Sequence, residues 1–277
     1  MIKLKKIKSK KIAYSFVQGR FSTESAGKFQ YFPISNWQRE FQIAKKLNFD
    51  CIEWIVSDFS NPIFNKIFSQ IIKKKLNQNN LKISSISLDL IMDNSLHSLS
   101  DAQVEWLAEN IKKAVIFFKI KRVSVPIEER CRFNNKDEKK LALKSLEIIY
   151  SKLRRYCKIC IETDMAPLSL VSILKMKKFK SLGVLLDLGN TRAHGFKIED
   201  YFKLFPNRIY SIHVKYRENS YGKTKVVPKK SFHELKYLMN NIHFLKNLID
   251  ISFQTYKSKK NFLNDMKKSI KNFNNYV

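Results

Sequence analysis

The sequence of 277 residues is 44% hydrophobic and 13% aromatic, which excludes an intrinsically disordered chain and is enough for a large buried core. Its 53 lysine and arginine residues outnumber its 24 acidic residues, so the formal net charge is +29. The lysines lie in nearly every segment, and lysine, asparagine, isoleucine and phenylalanine all have A/T-rich codons. We therefore attribute the charge to genome composition and expect no specific nucleic-acid partner, although such a surface would attract an anionic small molecule.

The N-terminal segment is basic, but its apolar stretch from Ile12 to Val17 is too short for a signal peptide, and no small-residue cleavage site follows. No uninterrupted apolar run of about 18 residues occurs, so no membrane span is expected. We therefore expect a cytoplasmic protein without a membrane partner, in which residues 1–10 form a basic N-terminal extension.

Short apolar runs, many of them β-branched, alternate along the chain with longer amphipathic segments. The short runs predict eight strands, at 11–17, 50–56, 82–91, 121–127, 158–163, 182–188, 208–214 and 247–254. The longer segments predict helices at 36–48, 62–78, 101–118, 137–156, 167–178, 197–205, 231–243 and 259–273.

A strand followed by a helix eight times over, with right-handed crossovers, closes into a (β/α)8 TIM barrel. The sequence contains no Pro-, Gly- or Ser-rich linker, so we expect one domain spanning residues 1–277. A doubly wound open sheet is the alternative, but no glycine-rich phosphate turn follows the first predicted strand, so the barrel is favoured.

The pair Cys157 and Cys160 forms a C-x-x-C motif at the junction from a helix into a strand. A redox motif of this kind belongs at a helix N-terminus, and a structural zinc site would need a second pair, which the sequence lacks. We expect all four cysteines, the others being Cys51 and Cys131, to be packing residues.

Polar residues stand at the ends of the apolar strands, which is where active sites of TIM barrels lie. In chain order these residues are Gln18, Arg20, Glu53, Asp89, Glu128, Glu129, Glu162, Asp187, Asn190, His213, Lys215 and Gln254. Glu162, Asp187 and His213 hold the same relative position on three consecutive strands. A Glu, an Asp and a His that converge on one axis are a typical ligand set for a divalent metal ion.

Several segments resemble the xylose isomerase-like TIM-barrel superfamily, which contains the sugar (phosphate) isomerases and epimerases. The motifs CIETD at 160–164, LLDLGNTRAHG at 185–195 and IHVKYR at 212–217 resemble its strand-five, strand-six and strand-seven motifs. Three earlier segments agree: QGRFS at 18–22, FPISNWQREFQIAKKLNFDCIEWI at 32–55 and LDLIMD at 88–93.

The resemblance implies one divalent metal ion, Mn²⁺, Mg²⁺, Co²⁺ or Zn²⁺, held by Glu162, Asp187, His213 and the strand-eight residue, Gln254. It also implies proton transfer through an enediolate on a sugar or sugar phosphate, with Glu162 as a catalytic acid/base. The residues expected to bind substrate are Arg20, Glu53, Asp89, Asn190, Lys215 and Arg217. For Glu53 and Asp89 a structural role is the alternative. For Asn190 the alternative is ordering of the loop, and for Arg20 it is an ion pair with a carboxylate at the mouth.

The sequence departs from the family pattern at Gln254, where the family has a second glutamate. A glutamine can coordinate a metal through its carbonyl oxygen, but it carries no transferable proton near neutral pH. An epimerase with two opposed bases would lose one of them, whereas a 1,2-isomerase could use Glu162 alone. Tyr216 also stands where the family has an aspartate after its lysine.

Other functions stay open at this stage. They are a metal-dependent lyase or dehydratase, which needs one base, and a sugar-binding barrel without turnover. An endonuclease-like activity is not expected, because that branch of the superfamily needs several more histidines at strand ends, and the sequence has five histidines in all. The oligomeric state is open, with a homo-oligomer as one option.

Overall fold

In a computed structural model of the chain, residues 2–7, 12–23, 30–220, 222–258 and 260–277 are described. Eight parallel strands form a closed barrel in chain order. They are β1 (Ala13–Val17), β2 (Cys51–Ile55), β3 (Lys82–Ser87), β4 (Arg122–Ile127), β5 (Lys158–Thr163), β6 (Gly183–Asp187), β7 (Ile209–Val214) and β8 (Asp250–Phe253). The barrel closes where β1 pairs with β8, with Phe16 opposite Phe253. The predicted (β/α)8 fold is confirmed.

Helices lie between successive strands and cover the outside of the barrel. They are α1 (Trp37–Leu47), α2 (Lys66–Gln78), α3 (Leu90–Asp93), α4 (Asp101–Phe118), α5 (Lys136–Leu153), α6 (Pro167–Leu174), α7 (Leu188–Ala193), α8 (Ile198–Leu204), α9 (His233–Asn241) and α10 (Phe262–Phe273). Short 3₁₀ turns occupy Pro62–Phe64, Glu129–Cys131, Lys177–Phe179 and Ile242–Phe244. No helix in the described part of the chain is long and apolar enough to cross a bilayer.

Several predicted elements have different bounds in the structure. The third strand ends at Ser87 rather than at residue 91, because its ladder with β4 ends at the pair Ser87–Ser124 and the chain then turns into α3. The second helix begins at Lys66 rather than at residue 62, because the side chain of Asn65 accepts the N–H groups of the first turn. The eighth strand begins at Asp250, three residues later than predicted.

Aliphatic and aromatic side chains fill the layer between the sheet and the helices. All four cysteines are free and buried, as expected of packing residues. Burial raises the pKa of each cysteine thiol to about 12, so the thiols are inert near neutral pH. Of the predicted N-terminal extension, residues 2–7 are described. Leu4 is buried and its N–H donates to the carbonyl of Leu47, 3.1 Å away.

Inside the barrel, an arginine on β4 is enclosed by two carboxylates. Arg122 Nη2 lies 2.8 Å from Glu53 Oε2, and Arg122 Nε lies 2.9 Å from Asp250 Oδ1. All three side chains are fully buried, so each charge depends on the others for its compensation. This network lies directly against the polar residues at the carboxyl ends of the strands, because Glu53 also contacts His213.

Candidate metal centre at the mouth of the barrel

A cavity of about 560 Å³ opens at the carboxyl ends of the strands. Its wall includes eight of the polar residues that the sequence singled out as strand-end or substrate-binding residues, namely Arg20, Asp89, Glu128, Glu129, Glu162, Lys215, Arg217 and Gln254. The structure also brings Asp187 and His213 to this end of the barrel, where they are buried next to Glu162. Polar groups from seven of the eight strands or the loops after them therefore meet at one mouth.

Glu162, Asp187 and His213 form the cluster at the base of this mouth. One ligand atom from each lies within 4.8 Å of the other two, and all three residues are buried. Asp187 and His213 are register partners on β6 and β7, and His213 Nδ1 is 3.0 Å from Glu162 Oε1. In the described part of the chain these residues form the one group with metal-ligand geometry.

His213 is held from its other side by Glu53, whose Oε2 lies 3.0 Å from Nε2 of the imidazole. Burial favours the neutral imidazole, but the charges of Glu53 and Glu162 outweigh it and raise the pKa of His213 well above its usual value. Burial likewise opposes ionisation of Glu53, yet Arg122 and His213 lower its pKa. The result is an ionised Glu53 that accepts a hydrogen bond from Nε2–H, which leaves Nδ1 as the nitrogen that faces Glu162.

Asp187 is fixed by two donors. Its Oδ1 accepts the backbone N–H of Asn190 at the start of α7, 2.8 Å away, and its Oδ2 lies 2.7 Å from Nζ of Lys215. Burial disfavours the lysine cation, but the carboxylates of Asp187, Glu128 and Glu162 raise the pKa of Lys215 above its usual value. The ammonium group of Lys215 thus offsets part of the negative charge of these three carboxylates.

A second polar chain runs along the wall of the cavity away from the cluster. Asn190 Nδ2 donates to Glu128 Oε2 at 2.6 Å, and Arg217 Nη1 donates to Asn190 Oδ1 at 2.9 Å. Burial and the nearby carboxylate of Glu162 raise the pKa of Glu128 well above its usual value. Asn190 therefore connects Glu128, which follows β4, to Arg217, which lies beyond β7.

Gln254 directly follows β8, and its amide Nε2 donates to Oε1 of Gln30, 3.1 Å away. Its own Oε1 is buried and has no hydrogen-bond partner. Gln30 also accepts a hydrogen bond from Arg20 Nη2 and donates one to Asp89 Oδ2. Sequence reasoning missed Gln30, because it lies in the loop after β1 and not at a strand end.

The turn that carries Arg20 is held by a buried carboxylate on α1. Glu40 accepts the N–H groups of Gly19 and Phe21 at 3.0 and 2.9 Å, and the hydroxyl of Ser22 at 2.9 Å. Gly19 has a φ of +88°, a conformation that favours glycine. Glu40 was also missed from the sequence, since it occupies an ordinary core-facing position of an amphipathic helix.

The structure separates two groups among the residues expected to bind substrate. Arg20, Asp89, Lys215 and Arg217 line the cavity. Glu53 is fully buried beneath it and contacts His213 and Arg122. Asn190 is buried and contacts Glu128 and Arg217.

The side chains at this mouth fit a divalent metal ion. Carboxylate, imidazole and amide oxygen groups are ligands that such ions accept, and Glu162, Asp187 and His213 already converge. The buried, unpaired Oε1 of Gln254 is a polar atom that lacks compensation and would gain it from a cation. The other four histidines, all in described parts of the chain, lie outside this group.

Similar solved structures were found, whereas no family model and no curated protein sequence matches the chain. A xylose isomerase-like TIM barrel protein from Mycobacterium smegmatis, in complex with magnesium, is 14% identical with a TM-score of 0.67, over 96% of this chain and 98% of that one. The 3-keto-D-glucoside 4-epimerase YcjR from E. coli is 11% identical with a TM-score of 0.71, over 95% and 99%.

A probable 3-DHS dehydratase, AsbF from Bacillus anthracis, is 14% identical with a TM-score of 0.66, over 94% of this chain and 98% of that one. The chain thus shares the (β/α)8 barrel fold of these three proteins. At these identities the likeness establishes the fold alone, and the chemistry depends on the residues of the site.

Proposed function

We propose that the protein is a divalent-metal-dependent isomerase or epimerase that acts on a sugar or sugar phosphate by proton transfer through an enediolate. The observation that carries this proposal is the cluster of Glu162, Asp187 and His213, whose ligand atoms lie within 4.8 Å of one another at the mouth of a TIM barrel. The similarity of fold to a 3-keto-D-glucoside 4-epimerase is consistent with it. We further propose a single-domain cytoplasmic enzyme, either alone or as a homo-oligomer.

Glu162, Asp187, His213 and Gln254 would hold one ion, of Mn²⁺, Mg²⁺, Co²⁺ or Zn²⁺. Such an ion supplies Lewis acidity, which polarises a carbonyl and the adjacent hydroxyl and makes the C–H between them more acidic. Glu53 keeps the imidazole of His213 oriented with Nδ1 toward the site. Asn190 fixes the carboxylate of Asp187 through its backbone N–H.

Glu162 is the catalytic acid/base of this proposal. Its carboxylate lines the cavity, so it can accept the proton from the carbon next to the carbonyl and return it to the neighbouring carbon. Because Gln254 has no transferable proton, this transfer takes place on one face of the substrate. A 1,2-isomerisation therefore suits the site better than an epimerisation by two opposed bases.

Charged side chains around the cavity would bind the substrate. Lys215 lies next to Glu162 and Asp187, where it can donate to a hydroxyl or a developing oxyanion. Arg20 and Arg217 lie in the wall and are suited to a phosphate or carboxylate of the substrate. Asp89 in the same wall can accept a hydrogen bond from a sugar hydroxyl.

A metal-dependent dehydratase is the second candidate, and Glu128 favours it. Elimination needs one base and an acid to protonate the departing hydroxide, and a buried carboxyl whose pKa is raised well above its usual value can supply that proton. The similarity of fold to a probable dehydratase is compatible with this reaction.

The two candidates are tested on the same preparation. The purified protein is stripped with a chelator and reloaded with Mn²⁺, its metal content is measured, and a panel of ketoses, aldoses and their phosphates is incubated with it in D₂O. An isomerase incorporates deuterium at the carbon next to the carbonyl, whereas a dehydratase yields an unsaturated product. Glu162→Gln should lose both signals, and Glu105→Gln on the exposed face of α4 is the matched control. Absence of both metal binding and exchange in the wild-type protein contradicts the proposal.

A further inference from the structure

The orientation of the Gln30 amide is determined by its two charged neighbours. An ionised carboxylate can only accept hydrogen bonds and a guanidinium can only donate them. Asp89 Oδ2 and Arg20 Nη2 both contact the Gln30 amide, so its nitrogen faces Asp89 and its oxygen faces Arg20. The amide cannot rotate by 180° without placing its oxygen against a carboxylate and its NH₂ group against a cation.

This orientation in turn determines how the side chain of Gln254 lies. The atom of Gln30 that is 3.1 Å from the Gln254 amide is the oxygen Oε1, so Gln254 must present its NH₂ group to it. The oxygen of Gln254 therefore points away from Gln30. That oxygen is buried without a hydrogen-bond partner, which is unfavourable unless another group compensates it.

We propose that Gln30 is a positioning residue, which together with Asp89 and Arg20 fixes the Gln254 carbonyl oxygen as a neutral ligand for the metal ion. The inference rests on the proposed function, since it assigns a role toward the ion that the cluster of Glu162, Asp187 and His213 would bind. It goes further than that function in one respect: the hydrogen bonds around position 254 favour a glutamine over a glutamate. Gln254 is then not the remnant of a glutamate ligand.

A glutamate at position 254 would conflict with this network. Its carboxylate has no N–H to donate, so it would face the oxygen of Gln30 as one acceptor against another. Rotation of the Gln30 amide would relieve that contact but would turn its oxygen toward Asp89. Replacing Asp89 by asparagine removes the conflict at that position, because the asparagine amide can donate to the oxygen of the rotated Gln30. The rotated NH₂ group then faces Arg20, which keeps its hydrogen bond to the carbonyl of Thr255.

The test measures the affinity for Mn²⁺ in the wild-type protein and in four variants: Gln30→Leu, Gln254→Glu, Asp89→Asn and the double variant Gln254→Glu/Asp89→Asn. We expect one bound ion in the wild type and a loss of about tenfold in affinity for Gln30→Leu, equivalent to about 1.4 kcal/mol. Gln254→Glu alone should bind no more tightly than the wild type. The double variant should bind at least about tenfold more tightly than Gln254→Glu, a coupling between positions that a double-mutant cycle isolates.

Gln38→Leu on the exposed face of α1 is the matched control and should leave the affinity unchanged. A second measurement follows the side-chain ¹⁵N–H₂ signal of Gln254 during titration with Zn²⁺. The signal should shift in the wild type, and the shift should be lost in Gln30→Leu.

The possible failures differ from one another. If the wild type binds neither Mn²⁺ nor Zn²⁺, the proposed metal enzyme and this inference both fail. If the wild type binds Mn²⁺ and Gln30→Leu binds it equally well, the positioning role is wrong while the metal site stands. A single Gln254→Glu variant that binds at least about tenfold more tightly than the wild type would show a weakened glutamate site and overturn the inference.

Discussion

Glu53 on β2 and His213 on β7 meet inside the barrel, with Oε2 of the carboxylate 3.0 Å from Nε2 of the imidazole. Both side chains are fully or almost fully buried, and Arg122 holds the same carboxylate oxygen at 2.8 Å. Because the imidazole donates from Nε2, its Nδ1 is directed to Glu162 and the proposed metal site. An ionised carboxylate behind a ligating histidine also increases the basicity of the ligand.

Glu53→Gln should therefore weaken metal binding without removing any metal ligand. The glutamine oxygen can still accept from His213 and Arg122, but the negative charge behind the imidazole is lost. We expect the affinity for Mn²⁺ to fall by about tenfold to a hundredfold, measured by calorimetric titration. The conservative surface variant Glu105→Gln is the control, and an unchanged affinity in Glu53→Gln would contradict the role of Glu53.

Lys215 competes with a metal ion for the carboxylate of Asp187, to which its Nζ lies at 2.7 Å. Lys215→Met removes this cation, so we expect tighter Mn²⁺ binding, by up to about tenfold, together with loss of turnover. Lys223→Met, in the same cavity wall, tests whether removal of any nearby positive charge has this effect. Equal gains in affinity in the two variants would mean that the specific contact between Lys215 and Asp187 is unimportant.

Arg122 supports the barrel from inside, and its removal leaves two buried carboxylates, Glu53 and Asp250, without their cation. We expect Arg122→Met to lower the free energy of unfolding by about 3–5 kcal/mol, measured by urea denaturation. Arg130→Met removes an exposed ion pair with Asp93 and should cost at most about 1 kcal/mol. Similar losses in the two variants would contradict this account.

Glu40 makes the stability of the fold dependent on pH. Burial is the largest influence and raises the pKa of Glu40 to about 7, although the N–H groups of Gly19 and Phe21 and the Ser22 hydroxyl oppose it. The folded protein thus holds a proton that the unfolded chain releases near pH 4.5. The contribution of Glu40 to the free energy of unfolding is complete below that pH and is lost as the pH rises to about 7, a decrease of about 3 kcal/mol.

Urea denaturation of the wild type and of Glu40→Gln at several pH values between 4.5 and 7.5 measures this contribution. The free energy of unfolding of the wild type minus that of Glu40→Gln should fall by about 3 kcal/mol as the pH rises through this window, because only the wild type loses a bound proton there. For the control Glu105→Gln, exposed on α4, the free energy of unfolding should change with pH in the same way as that of the wild type. A difference that stays constant with pH for Glu40→Gln would show that Glu40 ionises alike in the folded and unfolded states.

The sequence by itself determined the barrel and most of its mouth. Eight apolar runs separated by amphipathic segments are a local signal, and strand-end residues such as Glu162, Asp187 and His213 could be read directly, because the carboxyl ends of parallel strands in a closed barrel must meet. The end of the third strand was missed, because the apolar run continues past Ser87, where the ladder with β4 stops. Periodicity alone contains no information about that partner.

Only the tertiary structure decided which polar side chains touch. Gln30 lies in a loop without a regular pattern, yet it lies against Arg20, Asp89 and Gln254, from three different parts of the chain. Glu53 was identified from the sequence as a mouth residue, but its burial behind His213 depends on Arg122 on a third strand. The sequence marked Gln254 as a departure, but the direction of its hydrogen bond is a property of the assembled network. Its three-dimensional neighbours determined that its amide nitrogen faces Gln30.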